Sequence, residues 1–305
     1  MERTQLGKTG IEVTKLGFGA MEIRGPRVWN GRPVADEDSE KILNAVLDVG
    51  INFIDTSYDY GRSEELIGKF ISHRRSEYIL ATKCGCTLVD HGDHDETPHI
   101  WTRENLLHNI ETSLRRMKTD YIDLWQLHGP TVQQAEDGNL VEVLKEIQAS
   151  GKVRSIGISS YLPHIPTYIR SGQFDTFQIP YSALEREHEE LIAEAGIGGA
   201  GIIIRGGVGQ GEPGAGRGSE DRWAVWNKAN LDDLLEEGET RTGFLLRFTL
   251  SNPYLSTTIV GTKSPIHLAE NVVYANKGAL SANVYEEAKR RLEVAGSKPG
   301  TVYVP

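Results

Sequence analysis

A chain of 305 residues with 38% hydrophobic residues is long enough for one large α/β domain or two ordinary ones. Its 33 Lys and Arg against 43 Asp and Glu give a net charge of −10, which argues against nucleic acid as a partner because no basic stripe is present. No apolar run approaches the roughly 18 residues of a membrane span, and the amino terminus lacks a secretory apolar segment. Neither a membrane partner nor secretion is predicted, and the closely spaced Cys84 and Cys86 favour a reducing, cytoplasmic compartment.

Short apolar strands alternate with amphipathic helices along the chain. A hairpin at 3–15 comes first, with its turn at 7–10. Eight strands are predicted after it, at 16–20, 52–56, 78–83, 121–128, 153–159, 176–179, 201–205 and 257–260. Helices are predicted at 37–49, 63–71, 102–117, 140–150, 163–170, 185–195, 231–237, 242–250 and 265–275, with a last helix at 285–294 outside the repeat. Asn139 is predicted to cap the fourth of these helices, with Glu142 three residues further on.

Eight strand–helix units in roughly 260 residues fit a closed (β/α)8 TIM barrel, with the N-terminal β-hairpin and the extra C-terminal helix as additions. A single domain over 1–305 is therefore expected. A doubly wound sheet would more often show six or seven units and a phosphate-binding glycine motif after its first strand. The one G-x-G-x-x-G match, at 209–214, contains Pro213 and opens no helix, so we interpret 206–218 as a loop.

Polar side chains follow three neighbouring strands at their carboxyl ends, where barrels place functional groups. Asp55 ends the second strand with Tyr60 in its loop, Lys83 ends the third and His128 ends the fourth. These residues could also have purely structural roles: Asp55 as a helix cap, Lys83 as a solvated strand end and His128 as a hydrogen-bonded polar group. Together they would form a proton-donating group, because a tyrosine with a pKa of about 10 needs a neighbouring ammonium to release its proton at neutral pH. Such a group would protonate a carbonyl oxygen while a cofactor supplies hydride to the carbon.

Six stretches in order, NFIDTSYDYG, ILATKCG, YIDLWQLH, GKVRSIGIS, FQIPYS and IVGTKSPIHLAEN, resemble the motifs of the aldo-keto reductases. The resemblance covers roughly residues 3 to 276. It implies a barrel with a nicotinamide cofactor across its mouth and a catalytic tetrad of Asp55, Tyr60, Lys83 and His128, with Tyr60 as proton donor.

The resemblance also implies cofactor contacts near the nicotinamide. These residues are Gly19, Ala20, Met21, Asp55, Ser159, Ser160, Gln178, Arg205, Gly206, Gly207 and Val208. The family's Ser-Asn pair is Ser159-Ser160 here, and Gln178 matches its carboxamide-binding glutamine. The aromatic ring that stacks on the nicotinamide is absent, and Arg205 at that place offers a planar guanidinium, unless it only pairs with an acid.

The adenosine end of the cofactor is expected at the last strand–helix unit. Its residues are Gly261, Thr262, Lys263, Ser264, His267, Glu270 and Asn271. Ser264 caps a helix whose first residue is Pro265, so free N–H groups face the loop. Because Lys263 adds a positive charge for a 2′-phosphate, NADP is favoured, with NAD as the alternative. The family's arginine is replaced by His267, a weaker charge.

A histidine-rich acidic loop at 90–99 follows the third strand, and we interpret it as part of the substrate mouth. No metal site is predicted there, because the spacing of its side chains does not fix a set of metal ligands. Trp29 is a candidate wall of an apolar substrate pocket, whereas Trp223 and Trp226, expected in loops, are assigned to core packing.

The prediction is an NADP-dependent reductase of small aldehydes or ketones, as a monomer or small homo-oligomer. Two alternatives remain: a regulatory nicotinamide-binding barrel similar to the potassium-channel β-subunits, and a lyase or isomerase that uses Lys83 as a Schiff base.

Overall fold

Eight parallel strands of the computed structural model, which describes residues 1–300, close into a barrel. We number them β1 (Leu16–Gly19), β2 (Phe53–Asp55), β3 (Ile79–Cys84), β4 (Ile122–His128), β5 (Val153–Ser159), β6 (Thr176–Pro180), β7 (Gly201–Arg205) and β8 (Thr257–Val260). Pairing of β8 with β1, for example Ile259 with Gly17, closes the ring. The predicted (β/α)8 barrel is confirmed, and the last five residues of the proposed 1–305 domain lie outside the described range.

Helices surround the barrel and face it with apolar side chains. They are Asp36–Asp48, Ser63–Phe70, Arg103–Met117, Val132–Asp137, Leu140–Ala149, Ile165–Ser171, Glu189–Ile197, Glu220–Lys228, Arg241–Leu250, Pro265–Lys277 and Ala282–Ala295. The strands are covered on both sides, which is why Ile202, Ile203 and Ile204 in β7 are all fully buried. No helix within residues 1–300 is long and apolar enough to cross a membrane.

The N-terminal hairpin closes the amino-terminal end of the barrel. Its strands are Arg3–Gln5 and Glu12–Thr14. Leu6 and Ile11, in the turn region, are buried in one cluster with Phe53 of β2. Gly7 has φ +56, and a Cβ there would lie 2.2 Å from the Gly201 nitrogen, so glycine is required. The hairpin therefore leaves the carboxyl end of the barrel as the open mouth.

Four local predictions differ from the structure. Asn139 has φ 46 and ψ 40, and its side chain does not cap the helix, because a capping residue needs an extended backbone. A capping box is found instead at Thr131, which precedes the helix Val132–Asp137 that was not predicted. The predicted helix at 231–237 is only a short 3₁₀ turn, Leu231–Leu234. The helix predicted at 185–195 begins at Glu189. Trp223 and Trp226 lie on the helix Glu220–Lys228 and not in loops, although both are buried as expected.

Candidate active site

Asp55, Tyr60, Lys83 and His128 meet at the carboxyl end of the barrel, because β2, β3 and β4 are neighbours in the sheet. The loop after β2 is folded tightly: the Tyr60 amide donates to the Ser57 carbonyl at 3.1 Å. Ser63 then begins a helix and donates its amide to the Tyr60 carbonyl at 2.8 Å. These bonds direct the phenol back over the barrel, as the sequence predicts.

A buried ion pair lies at the centre of this group. The Lys83 Nζ donates to Asp55 Oδ2 at 2.6 Å and to the Thr56 carbonyl at 2.7 Å, and both charged side chains are only 1% exposed. The same ammonium lies 3.5 Å from the Tyr60 hydroxyl oxygen. It is therefore close enough to stabilise a phenolate at Tyr60.

Two glutamines hold the second oxygen of Asp55. Gln178 Nε2 donates to Asp55 Oδ1 at 2.8 Å, and Gln126 Nε2 does so at 3.2 Å. Gln126 was not among the predicted site residues. A signal was present, because Gln126 lies two residues before His128 and successive alternate residues of a strand share one face.

Burial raises the pKa of the Tyr60 phenol, and the Lys83 ammonium offsets part of that rise. Burial acts to lower the pKa of Lys83, but the Asp55 carboxylate, with Tyr60 and Asp59, outweighs burial and the Lys83 pKa is raised. The protonated tyrosine and the charged lysine are thus the resting forms near neutral pH.

His128 is surrounded by polar groups from the loop after β2. Its Nδ1 lies 3.3 Å from Asp59 Oδ2 and 3.3 Å from Ser57 Oγ, and its ring centroid is 6.1 Å from that of Tyr60. Burial acts to raise the pKa of Asp59, yet the His128 ring and the hydrogen bonds from His128, Ser57 and Cys86 hold it below its ordinary value. Asp59 and Ser57 lie inside the NFIDTSYDYG motif, but their contact with His128 was not predicted.

Aromatic rings line the mouth beside Tyr60. The Trp29 ring stands edge-on to it with centroids 5.7 Å apart, and 41% of Trp29 is exposed. His99 stacks on Trp101 at 5.4 Å and meets the His128 ring at 5.8 Å. This placement suits Trp29 as a wall of a substrate pocket.

The acidic loop folds into a small hairpin, Val89–Asp90 with Asp95–Glu96. Arg27 donates to Asp90 and to Asp95, each at 2.6 Å, and so ties the hairpin to the segment after β1. Of the loop's histidines, only His99 reaches the tetrad, through its ring contact with His128.

Several of the predicted nicotinamide-binding residues lie at or just beyond the carboxyl ends of β5, β6 and β7. Ser159 and Ser160 are buried, and the Ser160 amide donates to the Gln178 carbonyl at 3.1 Å. Arg205 forms no ion pair within residues 1–300, and its buried Nε has no hydrogen-bond partner there. Burial lowers the pKa of Arg205. A buried donor without a partner is costly, so this guanidinium is suited to an outside ligand.

Glycines make room where the backbones of β1 and β8 approach each other. A Cβ at Gly261 would lie 2.8 Å from the Gly19 carbonyl oxygen. Just after β7, a Cβ at Gly207 would lie 2.7 Å from Thr258 Oγ1, while the preceding Gly206 has φ +76. Of the other predicted contacts, Ala20 is buried, and Met21 and Val208 are partly exposed. We call the region between the carboxyl ends of β1, β7 and β8 the groove, and beside it a Cβ at Gly206 would meet nothing within 4 Å.

The predicted adenosine end has the expected helix start. Ser264 Oγ accepts from the His267 amide at 3.4 Å, and Pro265 is the first residue of the helix. Among residues 1–300, the hydrogen bond of Lys263 Nζ is to the Pro33 carbonyl, at 3.2 Å, while His267 is exposed. Thr262 Oγ1 instead accepts from the Ser264 amide at 3.0 Å, so it shapes the loop.

Two further residues of the adenosine end lie along the same helix. Glu270 accepts from Thr240 Oγ1 at 3.0 Å, and Asn271 is buried. The glycine-rich loop extends towards this side: Arg217 Nη1 donates to Glu22 Oε1 at 3.1 Å, beside Gly261. The segment at 206–218 therefore contacts the turn after β1, next to the groove.

The model of the aldo/keto reductase family matches residues 15–293. The chain is 37% identical over 197 residues to the aldo-keto reductase YhdN of Bacillus subtilis, a match that spans 63% of this chain and only 57% of that protein. It is 27% identical over 311 residues to the NADH-specific methylglyoxal reductase of Escherichia coli, spanning 90% of this chain and 94% of that protein. A solved aldo-keto reductase from Bacillus halodurans, in its holo form, superposes with a TM-score of 0.83 at 27% identity, over 95% of this chain and 96% of that one.

With the barrel, the tetrad geometry and these matches together, the chain belongs to the aldo-keto reductase family. The resemblance stated from the sequence is confirmed. Membership places the chain among NAD(P)H-dependent enzymes that reduce carbonyl compounds.

Proposed function

We propose that this enzyme uses NADPH to reduce an aldehyde or ketone to an alcohol, with Tyr60 as the proton donor. The observation that carries the proposal is the chain of contacts from Asp55 through Lys83 to the Tyr60 hydroxyl, with distances of 2.6 and 3.5 Å. A phenol held beside a buried ammonium is suited to proton transfer, because the positive charge stabilises the phenolate that remains.

The groove fits a nicotinamide dinucleotide. Arg205 offers an unpartnered planar guanidinium where a ring would stack, and a Cβ at the adjacent Gly206 would meet nothing within 4 Å, so the backbone there borders open space. The capped start of the helix Pro265–Lys277 supplies free N–H groups and the positive end of a helix dipole. We assign Ser159 and Gln178 to the carboxamide from the family motif, with Gln178 Nε2 also donating to Asp55 Oδ1.

The bound cofactor supplies hydride to the carbonyl carbon. Tyr60 holds the proton that is needed at the carbonyl oxygen, and Lys83 stabilises the phenolate that remains. Asp55 keeps Lys83 charged and in place, while His128 lies close enough to orient the substrate oxygen. The Trp29 ring stands edge-on to the Tyr60 ring and walls the pocket beside the phenol.

The preference for NADPH depends mainly on Lys263. Its ammonium has one neutral contact, to the Pro33 carbonyl, so it is available to a 2′-phosphate. One similar protein is named as NADH-specific, so the cofactor preference of this chain has to be measured. Lys263 is therefore the residue to test.

Lys263→Ala should weaken NADPH binding by about ten-fold to a hundred-fold, because one charge-assisted hydrogen bond is worth roughly 1.5–3 kcal/mol. NADH has no 2′-phosphate, so its affinity should be nearly unchanged. The measurement is a pair of dissociation constants, for NADPH and NADH, from fluorescence titration of wild type and variant. Equal losses for both cofactors would show that Lys263 supports the loop and not the phosphate, and a wild type that prefers NADH would contradict the NADPH assignment.

Arg205→Leu provides the matched comparison, since its proposed contact is with the part that both cofactors share. It should weaken NADPH and NADH by a similar factor. The same titrations measure this, and a loss confined to one cofactor would contradict stacking of Arg205 on the nicotinamide.

The cellular location remains a prediction. Both cysteines are free thiols in the structure, which agrees with a reducing compartment such as the cytoplasm.

A further inference from the structure

Four side chains with metal-binding atoms come together at the barrel mouth, and we call them the mouth cluster: Asp59, Cys86, His99 and His128. One ligand atom from each lies within 4.8 Å of all the others. They come from separate segments: the loop after β2, the turn after β3, the acidic loop and the end of β4. This is why residue spacing in the sequence predicted no metal site.

Three of these atoms form a compact triangle. Cys86 Sγ is 3.1 Å from Asp59 Oδ2, Asp59 Oδ2 is 3.3 Å from His128 Nδ1, and Cys86 Sγ is 3.6 Å from His128 Nδ1. In tetrahedral zinc sites, metal–ligand distances near 2.3 Å for sulfur and 2.0–2.2 Å for nitrogen and oxygen place neighbouring ligand atoms about 3.3–3.6 Å apart. The triangle thus has nearly the dimensions of one face of such a site, with the sulfur–oxygen edge slightly short.

His99 is positioned to complete the tetrahedron. Its backbone pairs with that of Cys86 in an antiparallel bridge, flanked by hydrogen bonds from Thr87 to Pro98 at 2.9 Å and from Ile100 to Gly85 at 2.7 Å. This bridge keeps the His99 side chain beside the cysteine. The His99 side chain is exposed and has a ring nitrogen within 4.8 Å of the other three ligand atoms, so it can supply the fourth ligand.

The ligands on the barrel side are held by further hydrogen bonds, as metal ligands usually are. The Ser57 hydroxyl donates to the second oxygen of Asp59. The Cys86 carbonyl accepts from the Asn109 side chain at 3.0 Å, and Asn109 Oδ1 accepts from the Gly85 amide at 2.8 Å. Asp59 and Cys86 are both fully buried, so their positions are fixed by packing.

We propose that the mouth cluster binds a divalent transition-metal ion of the zinc type in tetrahedral geometry. One thiolate, two imidazoles and one carboxylate are a ligand set that favours zinc over magnesium or calcium, which prefer oxygen ligands alone. In the metal-free protein, the thiol of Cys86 donates a hydrogen bond to Asp59 Oδ2. The metal replaces the thiol proton, which leaves to solvent, and binding at Nδ1 requires His128 to carry its proton on Nε2. The site needs only these four side chains and does not depend on the proposed reaction.

Cobalt(II) is the direct probe, because a tetrahedral cobalt–thiolate site has visible absorption bands and a sulfur-to-cobalt charge-transfer band. Titration of the chelator-treated full chain with cobalt(II) under argon should give both bands, saturating at one ion per chain. Addition of zinc(II) should remove them. Wild-type protein that shows no such bands would overturn the proposal.

Cys86→Ser should lose the charge-transfer band, whereas Cys84→Ser should keep it. Cys84 is the matched control, since it is an equally buried thiol two residues away whose Sγ faces the Gln126 carbonyl. Loss of the band in both variants, or in neither, would overturn the assignment. Circular dichroism of each variant verifies that it is folded.

His99→Ala should weaken zinc binding at least ten-fold, measured by competition with a chromophoric chelator. His91→Ala is the control: it is also exposed and lies in the same loop, but it contacts His94 and Glu96 and not the mouth cluster. Because His99 is exposed, its replacement leaves the fold intact. Equal affinities for wild type and His99→Ala would overturn its assignment as a ligand.

Discussion

Tyr60→Phe is expected to abolish carbonyl reduction while leaving the affinity for NADPH nearly unchanged. The substitution removes only the hydroxyl that lies 3.5 Å from Lys83 Nζ, and keeps the ring that contacts Trp29 and His128. Loss of a positioned general acid typically costs about 10²–10⁴-fold in rate. The measurements are steady-state turnover at saturating NADPH and the NADPH dissociation constant.

Tyr58→Phe is the matched control for this experiment. Tyr58 lies two residues earlier in the same loop and is equally buried, but its ring faces Arg116 and His108 and not the lysine. Its turnover should stay close to that of wild type. A Tyr60→Phe enzyme that keeps a tenth or more of wild-type turnover would show that another group donates the proton.

Lys83→Met should reduce turnover by a similar factor, about 10²–10⁴-fold, through the acidity of Tyr60. Burial already raises the pKa of the phenol, and the ammonium is what offsets it, so its removal raises that pKa further. A proton donor acts in its protonated form, and the rate therefore falls as pH rises through the Tyr60 pKa. In Lys83→Met this falling limb should move to higher pH or disappear from the accessible range. The measurement is the pH dependence of kcat in wild type and variant.

The same substitution leaves Asp55 buried without its ion-pair partner, which typically costs about 3–5 kcal/mol in the free energy of unfolding. The double variant Asp55→Asn/Lys83→Met separates the two effects, because it removes the unpaired charge. It should recover most of the lost stability in urea unfolding and none of the lost turnover. Recovery of turnover together with stability, or an unchanged pH profile in a residually active Lys83→Met enzyme, would contradict the role given to Lys83.

The barrel could be predicted from the sequence because each strand is short, apolar and followed by an amphipathic helix. Strand ends then located Asp55, Lys83 and His128 on one side, since parallel strands all end at the same edge. Predictions of individual helix caps and helix boundaries from the local sequence were less reliable. Asn139 precedes a helix, yet its left-handed backbone prevents it from capping. The helix Glu220–Lys228 was missed because Trp223 and Trp226 were assigned to loops after a glycine-rich segment.

The arrangement around the tetrad was predicted only where one strand or motif contained it. Gln126 shares a strand face with His128, so its contact with Asp55 was within reach of the sequence. The neighbours of His128 could not be predicted from the sequence, because Cys86 and His99 are brought together by a backbone bridge across a loop. Contacts between loops depend on where each loop returns, and residue spacing along one chain does not record that.

The most direct test of the proposed function is NADPH oxidation by the wild-type enzyme with a panel of small aldehydes and ketones, followed at the nicotinamide absorbance. A chelator in the buffer keeps the mouth cluster free of metal, so the two proposals are tested separately. We expect substrate-dependent loss of NADPH, formation of the alcohol in equal amount, and saturation with both substrates. Tight NADPH binding without turnover of any carbonyl would contradict the enzymatic role and favour a regulatory nicotinamide-binding barrel, while absence of NADPH binding would contradict the cofactor assignment itself.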